Sequence, residues 1–251
     1  MRTIGSFVVV AVLFGIFVFI ENRTATPLVR LGILRSAALL RANLGAIALQ
    51  GTWVGCLFII TLYTQQLRGW SPVLTGLAVA PAGLTVVLLA PRIAPPLIAR
   101  FGPTRVIVAG LAAAAASYAL FLRIAPESSY VALILPTVLL IGLAFSLAYG
   151  PINVIATNGV AAEEQGLAGG LVNTAFQIGP ALILAIVTAV YNANVGADGS
   201  AATQLDGLHA AIWVPLAGAV IGLLANVAGL FGNKRSTSAV PAGEKSVQAS
   251  S

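Results

Sequence analysis

The chain has 251 residues, of which 59% are hydrophobic and 8% charged, with a formal net charge of +6 and a mean hydropathy of +0.98. Soluble domains carry about a quarter charged residues, so this composition excludes a water-exposed globular surface. The basic excess is not a nucleic-acid footprint, because the charges cluster in short segments between apolar runs.

A membrane crossing takes about 20 mostly apolar residues for roughly 30 Å of hydrocarbon. Seven such runs are predicted, at about 3–20, 42–64, 76–98, 105–123, 130–152, 168–190 and 210–231. The first is longer than the 7–15 apolar residues or so of a signal peptide. Glu21, Asn22 and Arg23 follow it in place of a small-residue cleavage site, so it reads as a true span. It is the shortest of the seven, as if the chain began part-way into a helix. Residues 1–41 thus hold one span and a basic connector, and 42–231 a six-helix bundle. The stretch 232–251, rich in Ser, Thr, Lys and Gly, reads as a disordered tail. Between spans, 65–75 is a turn, 99–105 a tight basic turn and 153–166 a loop; 191–209, the longest, carries Asp198, Asp206 and His209.

Lys and Arg set the orientation. With a cytoplasmic C-terminus, the inner side holds Arg23, Arg30, Arg35, Arg41, Arg92, Arg100, Arg105, Lys234, Arg235 and Lys245, with Arg92 snorkelling from near a span end. The outer side holds Arg2, Arg68 and Arg123, which gives N-terminus out and C-terminus in. An outside N-terminus points to a preceding part of the protein.

All seven acidic residues lie in loops, at span ends or in the tail, so no span offers a proton-carrying carboxylate. Lysine occurs only at 234 and 245, and Cys56 and His209 are the sole cysteine and histidine. No disulfide, metal cluster, Ser-His-Asp triad or intraspan Schiff base can be assembled from these. No cofactor is expected, and His209 reads as a solvated loop residue. Polar uncharged side chains remain. Asn43, Gln50 and Trp53 share roughly one face of the second span, and Asn173 and Gln177 stand four apart on the sixth. Asn153 and Thr157 repeat that spacing on the fifth, and Asn226 is alone in the seventh. Such faces line a substrate cavity or make interhelical hydrogen bonds. Bonding is the default for a single residue, while both readings stand for Gln50 and Gln177. Tyr63 and Trp70 read as interfacial belt anchors. Gly166 and Gly170 form a G-x-x-x-G that reads as helix packing.

Several segments are similar to a known family. "ENRTATPLVRLGILRSAALLRANL" resembles the connector after the two additional central helices of fourteen-span drug/proton antiporters of the major facilitator superfamily, the EmrB/QacA type. "YTQQLRGWSPVLTGLAVAPAG" resembles their next outer turn and helix. "ARFGPTRVIVAG" looks like the C-terminal copy of the basic inner-loop motif: Arg100, Gly102 and Arg105 match, but Ala99 stands where the motif is acidic. "EEQGLAGGLVNTAFQIGPAL" resembles the lead into the penultimate helix, with Gly166, Gly170, Asn173, Thr174 and Gln177 matching. The resemblance implies an all-α polytopic fold whose last six spans form the C-terminal facilitator half. It further implies export of small amphipathic substrates in exchange for protons by alternating access, in the plasma membrane, together with an N-terminal half that is missing here. The alternatives are a non-transporting remnant or subunit that needs a separate N-terminal half, and a seven-helix receptor. A membrane-embedded enzyme lacks the residues it would need.

Overall fold

The computed structural model describes residues 36–158, 160, 164–195 and 200–236. Six helices follow in order: α1 Ala37–Thr61, α2 Pro72–Phe101, α3 Pro103–Phe121, α4 Leu135–Thr157, α5 Gln165–Asn194 and α6 Ala201–Ser236. A π-helical turn at Leu62–Leu67 prolongs α1, and another at Tyr130–Ile134 leads into α4. All six are long and apolar enough to cross a membrane. Even α3, with 19 residues, rises about 28 Å at 1.5 Å per residue. The chain is therefore a multi-pass helical membrane protein. The seventh expected span, at 3–20, lies outside the described residues, as does the tail beyond 236.

Serines mark three of the starts. Ser36 accepts from the Leu39 amide (3.3 Å), Ser71 from that of Leu74 (3.2 Å) and Ser129 from that of Ala132 (3.4 Å). Pro72 and Pro103 open α2 and α3, where a missing N–H costs nothing. The α2–α3 turn closes on Gly102 at φ 79° and ψ 156°, a conformation reserved for glycine.

Five of the six helices run past the expected spans, while α3 stops at Phe121. The segment 191–209 is the plainest correction: α5 runs to Asn194 and α6 begins at Ala201. His209 is therefore helical, half-buried and bonded, its Nε2 3.0 Å from the Ile124 carbonyl oxygen. Likewise α6 continues to Ser236, into the stretch expected to be tail.

The central helix is α1, packed on α4, α5 and α6, while α3 packs on α4 and α6. By contrast α2 leans on α4 alone over most of its length. One core cluster gathers Ile59, Ile60, Tyr63, Tyr118, Phe121 and Ile134, and another Leu49, Leu111, Ile152 and Val172. Small residues set the closest approaches. A Cβ on Gly179 of α5 would lie 2.9 Å from the Ile47 Cα of α1 and nearer still to its carbonyl oxygen. One on Gly142 of α4 would lie 2.7 Å from the Ala82 oxygen of α2. The expected packing pair behaves otherwise: Gly166 and Gly170 would meet nothing within 4 Å. They do not join helices within this bundle, because no described element crosses the start of α5 there. Asn226 is buried and does bond between helices, its Nδ2 reaching the Gly222 carbonyl (2.9 Å) and that of Arg41 (3.5 Å).

Unpartnered apolar faces lie on three helices, that of α6 exposing Trp213, Ile221 and Leu224. That of α2 exposes Val73, Leu77, Leu84, Val87 and Leu88, then Pro91, Arg92, Pro95 and Pro96; that of α5 exposes Ile178, Leu182 and Ile186. Arg92 does not snorkel toward the near end of α2. Its Nη1 turns back and donates to the Leu88 carbonyl (2.6 Å), in the direction helical side chains lean.

Candidate functional site: an aromatic ladder on the open face

Four rings from three helices meet in series, one pair stacked and two tilted. Trp53 of α1 lies 4.9 Å from Phe145 of α4, centroid to centroid. Phe145 stacks on Tyr149 at 5.1 Å and 15°, and Tyr149 meets Phe176 of α5 at 5.0 Å and 35°. These separations fall in the range of favourable aromatic pairs. The ladder is not core. Tyr149 is 47% exposed and Trp53 and Phe145 are half-buried, although Phe176 at the far end is buried. Beside it a cleft of about 260 Å³ separates α4 from α2, lined by Phe145, Ser146, Tyr149, Ala90, Ala94 and Ile98 among others.

The expected cavity residues divide in two. Asn43 spends its amide within its own helix, its Nδ2 donating to the Leu39 carbonyl at 2.8 Å. Asn153 does the same toward Tyr149 (2.8 Å). Gln50 is half-buried three residues before Trp53, and Asn173 and Gln177 are exposed on either side of Phe176 in sequence. None of these three has a hydrogen-bond partner among the described residues. The open face thus offers planar π surfaces and unused amide groups. The described carboxylates, Glu127, Glu164 and Asp206, sit at helix ends or turns. Sequence reading found Trp53 but missed Phe145, Tyr149 and Phe176. The four-residue spacing of Phe145 and Tyr149, continued by Asn153, was the available signal.

The residues of the expected basic motif cluster at the α2–α3 turn. Arg100 and Arg105 are exposed on either side of Gly102, and the Arg100 guanidinium lies 5.2 Å from the Phe101 ring centroid. Tyr63 corrects its reading as a belt anchor. It is fully buried, and its hydroxyl donates to the Ala125 carbonyl at 2.9 Å, because the α3–α4 segment folds over it. Among the described residues no group of three or more His, Cys, Asp or Glu side chains could hold a metal.

A six-helix membrane bundle suits a membrane transporter, and the comparisons agree. The family model described as Major Facilitator Superfamily matches residues 3–184, more than half of the chain. The chain belongs to that superfamily, whose members are transporters and not enzymes. It is 36% identical over 221 residues to the puromycin resistance protein pur8 of Streptomyces alboniger, covering 83% of this chain and 43% of that protein. It is 32% identical over 197 residues to the tetracenomycin C resistance and export protein of Streptomyces glaucescens, covering 78% and 36%. The multidrug resistance protein Stp of Mycobacterium tuberculosis is 28% identical over 183 residues, covering 73% and 34%. The chain thus spans between a third and a half of the length of these relatives.

Proposed function

We propose that this bundle is one half of a drug exporter, and that its open face forms one wall of a substrate path closed by a second bundle. The observation that carries this reading is the aromatic series Trp53–Phe145–Tyr149–Phe176, exposed at Tyr149 and half-buried at Trp53 and Phe145. Rings reaching the surface of a membrane bundle give a planar aromatic substrate a surface that lipid chains do not need. Gln50, three residues before Trp53, and Asn173 and Gln177, on either side of Phe176 in sequence, supply donors and acceptors that orient such a substrate. The relatives' names, antibiotic resistance and export proteins among them, support a drug exporter. The two bundles rock about a midplane site, so that it faces each side in turn. Proton coupling, if it follows the resemblance, draws on carboxylates outside the described spans. The orientation is that of the positive-inside count, with the Arg100–Gly102–Arg105 turn cytoplasmic and the protein in the plasma membrane. Gly166 and Gly170, open on this bundle, then serve close packing against the second bundle.

The test is efflux of a planar aromatic dye from cells expressing this chain together with a second bundle, against cells expressing this chain alone. Export is expected only with both. Dye-dependent proton flux in liposomes holding this chain alone would refute the half-bundle reading.

A further inference from the structure

At the bundle end where α1 passes into its π-helical turn, a second aromatic group is built around a cation. We propose that it binds a phospholipid of the adjacent leaflet, with Arg68 on the phosphate and the cleft between α2 and Tyr130 taking an acyl chain.

Arg68 is half-buried. Its guanidinium lies 5.8 Å from the Tyr63 ring centroid and 5.4 Å from that of Trp70. Nη1 donates to the Tyr63 hydroxyl at 3.1 Å and to the Ser128 carbonyl at 2.7 Å. Those bonds occupy both Nη1 protons. The Nε–H and both Nη2–H groups have no acceptor among the described residues, and no described carboxylate pairs with this side chain. A guanidinium fixed by one nitrogen, with its Nε–Nη2 edge unused, presents the fork that takes phosphate through two parallel bonds. No described carboxylate is in an ion pair with it, so its charge is available to an anion.

Trp70 joins this cation to an apolar space. It also lines a cleft of about 350 Å³ with Leu74, Leu77, Ala78 and Tyr130. Leu74 and Leu77 are 46% and 65% exposed, so the cleft opens outward. The Tyr130 hydroxyl that lines it is already used, because it donates to the Ala78 carbonyl at 3.0 Å. A free phosphate would engage only Arg68, and an apolar compound only the cleft. An amphiphile with an anionic head beside its tail engages both, at the depth where Trp and Tyr flank headgroups. Because the cation has no counter-ion, a net-anionic lipid is favoured over a zwitterionic one.

The test uses tryptophan fluorescence of the full chain in bilayers containing brominated phosphatidylglycerol or brominated phosphatidylcholine with the same acyl chains. Trp53→Phe with Trp213→Phe leaves Trp70 as reporter. Trp53→Phe with Trp70→Phe leaves Trp213, 60% exposed on α6, as a control for general lipid contact. Trp70 is expected to report a preference for phosphatidylglycerol of about five-fold, the equivalent of ~1 kcal/mol for one basic residue near anionic lipid. Trp213 is expected to show none. Arg68→Gln removes the preference and keeps quenching by phosphatidylcholine, while Leu74→Phe fills the cleft and lowers quenching by both. Because Arg68 also pins the Ser128 segment, helix content is read by circular dichroism. Arg68→Lys, which keeps the charge without the fork and is expected to retain part of the preference, carries the test if the Gln variant unfolds. Equal quenching by both lipids at Trp70 would overturn the proposal, as would a preference that survives in Arg68→Gln. So would an unquenched Trp70 beside a quenched Trp213, which would mean that protein covers the cleft.

Discussion

Replacing Gly179 with alanine tests how the ladder is held. The added Cβ would stand 2.9 Å from the Ile47 Cα and 3.0 Å from its carbonyl carbon, with the carbonyl oxygen nearer still. Ordinary contact starts at 3.4 Å, so α1 and α5 must part by something on the order of 1 Å. The opposing atoms are backbone, and no rotamer change relieves them. Overpacking of this kind costs about 1–3 kcal/mol, and the unyielding partner puts this case at the upper end. Alanine also returns about 1 kcal/mol of helix propensity. The net expectation is a loss of about 2 kcal/mol. Gly170→Ala gains the same propensity with no clash, since a Cβ there meets nothing within 4 Å. The two substitutions, on one helix and chemically identical, therefore carry opposite signs. Unfolding of each purified variant in a detergent titration measures the difference. If Gly179→Ala proves as stable as Gly170→Ala, the tight α1–α5 seam is wrong, and with it the placing of Phe176 against Tyr149.

Three further outcomes follow from the same geometry. Gly102→Ala forces an L-residue to φ 79°, ψ 156° and is expected to cost about 1–3 kcal/mol, read as a lower unfolding midpoint. Tyr63→Phe removes a hydroxyl that bonds Ala125 and Arg68 inside the bundle, with an expected loss of about 1–3 kcal/mol in the same assay. In the two-bundle exporter, Tyr149→Ala takes away a ring stacked on Phe145 and tilted against Phe176, worth about 0.5–1.5 kcal/mol per pair. KM for a planar aromatic dye should rise several-fold, with a non-aromatic substrate little changed; equal effects on both would count against stacking.

The six described spans were legible because hydrocarbon leaves a chain few options: runs such as 76–98 and 130–152 can only be helices. Their ends were not. Residues 191–209 read as a loop carrying Asp198, Asp206 and His209, yet Leu208 is buried, Gly207 fits closely on Tyr191, and α6 begins at Ala201. Tyr63 and His209 were misplaced for one shared reason: their partners, Ala125 and Ile124, stand 62 and 85 residues away, beyond the reach of local pattern. Half of the ladder could be read from Phe145 and Tyr149. Phe176, flanked by Asn173 and Gln177, could not, since only the crossing of α4 and α5 shows which ring it meets.

The prolines of α2 say something about hydration. Pro91, Pro95 and Pro96 bring no N–H, so the carbonyls of Val87, Pro91 and Arg92 have no donor four residues on. All three residues are exposed on the unpartnered face, and the Arg92 guanidinium goes to Leu88 instead. In hydrocarbon each such oxygen costs several kcal/mol. That stretch of α2, greasy by hydropathy, is thus the one oil solvates worst, and a bilayer holding it must bring it either water or the hydroxyls and amides of another helix.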